Sequence, residues 1–309
     1  MSLVKKNEWW EETRNFKKTV KEEYLDINET LAELENNSSV IRLELNTIEL
    51  PLFSKDPKRI KNQIKIYHFK TDKSSYLEIE APANYSIPGE FEERVFIALT
   101  KIMKNNNYSR SFVVSANEIL ETLGLSNKAY YKRIREALTL LSKTNYTFLN
   151  SLYSNKESGI IEKKIMSSIM NITIISKKDS RAKEIEAFED GRIKEVYEIN
   201  FTDYFYENII RKGYLAFDSG KLLAIENSVS RAIYTIVEKW RGYELYLKRP
   251  VFFIARRIPL KWDKKNIGRT VKIIEKALDD LKSQKLIKHF TIIKEKKWEL
   301  AEVEVLFEE

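Results

Sequence analysis

Residues 272–281 read KIIEKALDDL, and a second stretch at residues 132–141 reads KRIREALTLL. At a constant offset of 140 residues, five of the ten positions are identical. The identical pairs are Lys132/Lys272, Ile134/Ile274, Ala137/Ala277, Leu138/Leu278 and Leu141/Leu281. Helical spacing of apolar residues alone produces about two or three such matches, so five indicate a duplicated domain.

The residues around the first stretch predict a helix-turn-helix followed by a β-hairpin. Ser115 is suited to cap a short helix ending at Leu123, because Glu118 three residues on completes a capping box. Gly124 then forms a turn, and Ser126 is expected to cap a second helix that ends near Lys143. The predicted hairpin has a strand beginning within residues 146–152, a loop at 155–159 and a strand at 164–175.

The second stretch lies in a similar context. A short helix is predicted at residues 252–258, a long helix at 263–283, and a hairpin formed by 287–294 and 298–307. The fold class expected from this order is α+β, with two tandem winged-helix domains related by internal duplication.

Patterning elsewhere completes the predicted organisation. Strands are expected at 63–69, 76–80 and 195–200, and helices at 90–104, 202–210 and 228–240. The predicted divisions are an N-terminal amphipathic helical segment at 1–47, a first winged-helix domain at 48–178, a polar linker at 179–194 and a second winged-helix domain at 195–309.

The second long helix carries the strongest functional signal. Its predicted buried face is formed by Ile267, Val271, Ile274, Leu278 and Leu281. The opposite face carries Lys265, Arg269, Lys272 and Lys276, which we call the cationic ridge. Four like charges in a row repel one another unless an anion neutralises them, so the ridge predicts contact with nucleic acid. A solvated face on a basic protein is the alternative interpretation.

Within the second helix, Arg269 and Lys272 are candidates for guanine edges and Asn266 for adenine, with Lys265 and Lys276 on phosphates. Gly268 is expected to let the helix approach a DNA backbone closely.

Further basic residues extend the predicted DNA-binding set. The first-domain helix offers Lys128, Lys132, Arg133 and Arg135, and the second hairpin tip offers Lys294, Lys296 and Lys297. Arg256 and Arg257 in the short helix suit either backbone anchors or surface salt-bridge partners.

Charge and composition favour a polyanionic partner and exclude several protein classes. The net charge is +8, but residues 1–50 carry −4, so the remainder carries +12. There is no cysteine, and the two histidines, His68 and His289, are far apart, so thiolate or multi-histidine metal sites are excluded. No apolar run reaches the roughly 20 residues that cross a bilayer, and the N-terminus is unlike a signal peptide, which predicts a cytoplasmic protein without membrane contact.

The sequence also lacks the signals of an enzyme. It contains no phosphate-binding Gly-x-x-x-x-Gly-Lys-Ser/Thr loop, no His-x-His nickase motif and no histidine clustered with carboxylates. No catalytic activity, metal or cofactor is therefore expected.

Two stretches resemble bacterial plasmid replication initiators of the replication initiator protein A group: YENIIRKGYLAFDSGKLLAIENSVSRAIYTIVEKW at 206–240 and YSIPGEFEERVFIALTKIMK at 85–104. The resemblance spans roughly residues 48–309. It implies tandem winged helices on repeated double-stranded DNA sites at a plasmid origin, with contacts to the host initiator and helicase. It also implies initiating monomers and a homodimer, formed through the first domain, that represses its own synthesis. A winged-helix transcriptional regulator without a role in replication is the alternative.

Overall fold

The computed structural model describes residues 39–189, 191–263, 265–294 and 297–308. The helices are α1 Leu45–Glu49, α2 Glu90–Asn105, α3 Ala116–Thr122, α4 Tyr130–Lys143, α5 Asp203–Ile210, α6 Ser219–Ala224, α7 Ser228–Arg241, α8 Val251–Arg257 and α9 Ile267–Ser283. The strands are β1 Val40–Glu44, β2 Ile64–His68, β3 Tyr76–Glu80, β4 Ser111–Val114, β5 Asn145–Leu149, β6 Tyr153–Ser154, β7 Gly159–Ile160, β8 Lys164–Ser167, β9 Met170–Ser176, β10 Glu195–Phe201, β11 Tyr214–Asp218, β12 Tyr246–Pro250, β13 His289–Ile293 and β14 Glu302–Leu306. Short 3-10 helices lie at Ser180–Glu184, Glu186–Glu189 and Trp298–Leu300. The amphipathic helix predicted before residue 39 lies outside these ranges.

The two repeated stretches lie in α4 and α9, which occupy the same place in two units with the same order of elements. The first unit runs α2, β4, α3, α4, β9, β10, and the second runs α7, β12, α8, α9, β13, β14. Their three-stranded sheets have the orders β4-β10-β9 and β12-β14-β13, so in each unit the last strand lies between the other two. The two units thus share one topology, while the duplication of a winged-helix domain stays a prediction.

The hairpin predicted after α4 is confirmed in part, because β5 pairs with β8 and β6 pairs with β7 around the predicted loop, but it does not belong to the sheet of the first unit. Strand β5 pairs with β3 and β8 in a separate four-stranded sheet, ordered β2-β3-β5-β8. The single strand predicted at 164–175 is two strands, β8 and β9, which belong to different sheets. They separate at Ser168 and Ile169, whose carbonyls accept hydrogen bonds from the Thr202 hydroxyl at 3.1 and 3.0 Å. Ile169 is fully buried at this point, where the chain passes from one sheet into the other.

The segment predicted as a linker joins two paired strands. Strands β9 and β10 are antiparallel from Glu195↔Ser176 to Phe201↔Met170. Between them, Ala182 and Phe188 are buried against Ile175 and Val196 in a small hydrophobic cluster of their own. Strand pairing therefore crosses residues 179–194, while the positions of the domain boundaries stay predictions.

The other predicted elements agree with the structure to within a few residues, apart from the starts of α4 and α9 described below. Sequence reasoning missed β1, α1, β4, β11, α6 and β12. Strand β1 was missed because it is buried on both faces. Val40, Ile41, Leu43 and Glu44 are all buried, so the alternation of buried and exposed residues that marks a half-exposed strand is absent. It pairs with β11 and so ties the first described residues to the second half of the chain.

The carboxyl group of Glu44, at the end of β1, is buried among side-chain amides. Its Oε1 accepts hydrogen bonds from Asn46 Nδ2 at 2.6 Å and Asn208 Nδ2 at 2.5 Å, and its Oε2 accepts from the Thr47 backbone N–H at 3.0 Å. Burial outweighs these donors and raises the pKa of Glu44 from 4.5 to about 7.

The raised pKa of Glu44 predicts a loss of stability with rising pH. Between the unfolded and folded pKa values the folded state binds more protons, so the free energy of unfolding falls as pH rises from about 4.5 to about 7. The full contribution is roughly 3 kcal/mol. Glu44→Gln keeps a carbonyl oxygen for the two amides and cannot ionise. Between pH 5 and pH 8, the free energy of unfolding measured by urea titration is expected to fall more for wild type than for Glu44→Gln. An equal change in the two proteins would contradict the raised pKa.

Candidate nucleic-acid interface

Helix α9 presents the cationic ridge to solvent. Its inward residues Ile267, Val271, Ile274, Leu278 and Leu281 are all buried, as predicted. Lys265, Arg269, Lys272 and Lys276 are all exposed, and none forms an ion pair with any residue that the structure describes. Since a row of cations without acidic partners remains attractive to phosphate, this surface is available to a polyanion.

The helix begins later than the sequence predicts, at Ile267 instead of residue 263. Asp263 holds the preceding turn, because its carboxylate accepts the Asn266 side-chain amide at 2.8 and 3.0 Å and the Lys265 backbone N–H at 2.9 Å. The hydrogen bonds from Asn266 and Lys265 lower the pKa of Asp263. Lys265 thus lies in the turn, and the side-chain amide of Asn266 is engaged with Asp263.

The second hairpin lies against the start of α9. A Cβ atom on Gly268 would lie 3.9 Å from Trp298 Nε1, so Gly268 faces the hairpin rather than an open DNA-facing surface as the sequence suggested. Lys294 Nζ is 4.5 Å from the centre of the Trp298 ring, and Lys294 and Lys297 are both exposed. The structure therefore brings this hairpin and the ridge together, while Lys296 lies outside the described residues.

The equivalent helix of the first unit is less available. Helix α4 begins at Tyr130, so Ser126 is not its cap, and Lys128 lies in the turn before it. The Arg133 guanidinium is 4.1 Å from the centre of the Phe91 ring, and Arg135 pairs with Glu195 at 3.5 Å. Lys128 and Lys132 are exposed and have no ion-pair partner among the described residues.

The two arginines at the end of α8 have different surroundings. Arg256 is exposed, with its guanidinium 5.6 Å from the Phe252 ring centre. Arg257 is 8% exposed and its guanidinium is paired with the carboxylate of Glu49, which also pairs with Lys239. Arg257 therefore takes the salt-bridge role that the sequence left open beside that of backbone anchor, although in the interior of the protein and not at its surface.

Sequence reasoning missed three exposed lysines between β9 and β10, namely Lys177, Lys178 and Lys194. The sequence analysis placed Lys194 in the polar linker, and Lys177 and Lys178 at the end of the first domain. The signal that could have found them is their position at the facing ends of two strands of equal length, β9 and β10.

Other types of site find no support in the described ranges. No group of three or more His, Cys, Asp or Glu side chains there is arranged to hold a metal ion. No helix within these ranges is both long and apolar enough to cross a membrane.

Comparison with known proteins agrees with this architecture. A selenomethionine crystal structure of domains 2 and 3 of RctB superposes with a TM-score of 0.56 at 12% identity, covering 85% of this chain and 98% of that one. A further structure of RctB domains 2–3 gives a TM-score of 0.48 at 12% identity, covering 83% of this chain and 94% of that one. At such identity the likeness concerns the fold alone. No curated protein matches the chain.

A family model described as replication initiator protein A matches residues 42–246. The match includes the first unit and α7, and it ends before α8 and α9, so the resemblance expected over residues 48–309 is confirmed only in part. Because the match covers more than half of the sequence, the chain belongs to the replication initiator protein A family.

Proposed function

We propose that this protein initiates replication in the cytoplasm, without catalytic activity of its own, by binding repeated double-stranded DNA sites at a plasmid origin. Each unit acts as a winged helix, with α4 and α9 as recognition helices in successive major grooves about 34 Å apart. The hairpins β9–β10 and β13–β14 are the first and second wings. The exposed cationic ridge, without acidic partners among the described residues, is the observation that carries the proposal.

The shared topology supports the winged-helix interpretation. Helix, strand, helix, helix, strand, strand is the order in both units, and the last strand is central in both sheets. The recognition helix in such a domain needs a buried face against the other helices and an open face toward the groove. Helices α4 and α9 both have a buried face and an exposed face, although Arg133 and Arg135 on the exposed face of α4 have partners within the protein.

Selection of bound duplexes from a random library by the full chain tests this function directly. A recurring motif that appears as direct repeats is expected, since the two units follow one another in the chain with the same order of elements. Binding without any enriched motif would overturn the proposal. Maintenance in bacteria of a plasmid that carries the selected repeats, driven by this gene in trans, then separates an initiator from a transcriptional regulator.

Two substitutions on α9 are expected to differ in kind. Arg269→Ala removes a proposed guanine contact, so it should cost about 1–3 kcal/mol on the selected duplex and relax sequence choice. Lys276→Ala removes a phosphate contact, so it should weaken binding to selected and scrambled duplexes nearly equally. Fluorescence anisotropy titrations with both duplexes measure the difference. Wild-type behaviour of both variants would refute the assignment of α9.

Repression as a dimer through the first unit and contacts with the host initiator and helicase belong to the same proposal. They derive from the family resemblance. Sedimentation of the protein with and without the selected duplex tests the dimer, since a monomeric initiating form is expected on the repeats. Incubation with supercoiled origin DNA and magnesium is expected to leave the DNA intact, and nicking would show an enzyme instead.

A further inference from the structure

We propose that Lys177, Lys178 and Lys194 form a phosphate-binding site of the first unit, at the neck of the first wing. The neck denotes these three residues, which lie where the chain leaves β9 and enters β10. The inference rests on the proposed DNA binding and adds a site to it.

Two of the lysines are held opposite each other by the backbone. The paired part of the wing ends at Glu195↔Ser176, and the Lys177 backbone N–H donates to the Lys194 carbonyl oxygen at 3.0 Å just beyond it. Like charges directly opposite each other on neighbouring strands destabilise the pairing. An anion bound between the two side chains removes that repulsion, so the geometry favours a bound phosphate.

The acidic groups near the neck already have other partners. Glu195 pairs with Arg135 at 3.5 Å, and Glu198 pairs with Arg181 at 3.1 Å. Lys177, Lys178 and Lys194 are exposed, and no ion pair involves them within the described ranges. Their charge is therefore not neutralised by the carboxylates closest to them along the strands.

The neck is also rigidly placed. Ile175 and Val196 flank it and are buried with Ala182 and Phe188 in the separate hydrophobic cluster. A preorganised site loses less conformational entropy when it binds. The exposed residues Glu184, Glu186 and Glu189 of the 3-10 helices line a surface pocket together with Lys177, so a phosphate has to approach the neck from the side away from these carboxylates.

The state of α4 explains why the first unit uses such a site. Arg133 lies on the Phe91 ring and Arg135 is paired with Glu195, so two of its four predicted DNA-binding cations have partners within the protein. Only Lys128, in the turn before α4, and Lys132, on α4, remain exposed without an ion-pair partner among the described residues. Together with the three neck lysines, these two residues give the first unit a number of exposed cations comparable to that of the cationic ridge.

The test is the salt dependence of binding by the triple variant Lys177→Gln, Lys178→Gln, Lys194→Gln, measured with the full chain on the selected duplex. Each lost phosphate contact reduces the magnitude of the negative slope of log affinity against log salt by about 0.9. The three substitutions together are therefore expected to reduce it by up to roughly 2.7. Sequence preference should not change. The melting temperature should equal or exceed that of wild type, because the Lys177–Lys194 repulsion is gone.

A control variant carries Lys58→Gln, Lys61→Gln and Lys73→Gln, which removes three exposed lysines from the four-stranded-sheet region. It is expected to retain the wild-type slope. If the neck variant keeps the wild-type slope while Lys272→Gln on α9 loses affinity, DNA binding stands and the neck site is wrong. If the control variant loses as much of the slope as the neck variant, the effect arises from net charge alone, which would also overturn the site. Absence of salt-dependent binding in the wild type would remove the proposed function itself.

Discussion

Replacing Glu93 with alanine is expected to lower the free energy of unfolding by about 3–5 kcal/mol, because it leaves two buried cations without their anion. Glu93 lies on α2, and its carboxylate binds Lys55 Nζ at 2.6 Å and Arg231 Nη2 at 2.8 Å. Arg231, on α7, is only 1% exposed and also donates from Nη1 to the Ile225 carbonyl at 2.6 Å. Burial alone would raise the pKa of Glu93, but the charges of Lys55 and Arg231 outweigh it and lower that pKa.

Glu93 and Arg231 lie on the first helices of the two repeated units, so their pairing fixes one unit against the other. We therefore expect Glu93→Ala also to weaken binding to a duplex with two repeats more than binding to a single repeat. Urea titration measures the stability, and anisotropy with the two duplexes measures the coupling. Glu90→Ala, an exposed position on the same helix, is the control and should change stability by less than about 1 kcal/mol.

A compensated variant separates lost pairing from lost packing. Lys55→Met, Glu93→Leu and Arg231→Met together replace the charges with apolar groups of similar size, which is often neutral or stabilising for a buried ion cluster. The combined variant should thus be more stable than Glu93→Ala alone. If it is less stable than the single variant, the cost arises from shape and the electrostatic explanation fails.

The helices were predictable because their signal is local. In α9, a buried residue recurs every three or four positions and the cations fall between them, which a sequence shows directly. The starts of helices were less accurate, because Asp263 and Asn127 hold turns ahead of α9 and α4 with side-chain hydrogen bonds to the backbone of nearby residues. Ser126 is an equally good cap by composition, and only the geometry of the turn excludes it.

The first wing could not be predicted from periodicity, because strand pairing is not local. Residues 145–149 and 170–176 both follow α4 and both have strand-like composition, yet only the second forms the sheet of the repeated unit. Strands β5 and β8, which lie between α4 and β9 in the sequence, belong instead to the four-stranded sheet. Arg256 and Arg257 show the same limit for side chains, since neighbouring residues of one type differ completely in burial and partners.

Replacing Glu49 with alanine is expected to cost a similar 3–5 kcal/mol, and its neighbours allow a sharper test. Glu49 ends α1 and is 12% exposed; its carboxylate pairs with Lys239 of α7, which is 6% exposed, and with Arg257 of α8. Arg257 Nη1 also donates to the Glu49 carbonyl oxygen at 3.1 Å. One carboxylate thus serves two buried cations, and α8 leads directly into the turn before α9.

This imbalance predicts that removal of the anion and removal of one cation have unequal effects. Glu49→Ala takes the same carboxylate away from two buried cations, whereas Lys239→Met removes one of those cations, keeps the Glu49–Arg257 pair and preserves most of the side-chain volume. We expect Lys239→Met to cost less than about 1.5 kcal/mol in urea titration, well below Glu49→Ala. Glu244→Ala, at an exposed position after α7, serves as control and should stay within about 0.5 kcal/mol of wild type. Equal losses for Glu49→Ala and Lys239→Met would mean that loss of the Glu49–Lys239 pair accounts for the whole cost, which would contradict this prediction. Because Arg257 acts inside the protein, Arg257→Met should lower stability while the salt slope of DNA binding by the folded fraction stays unchanged.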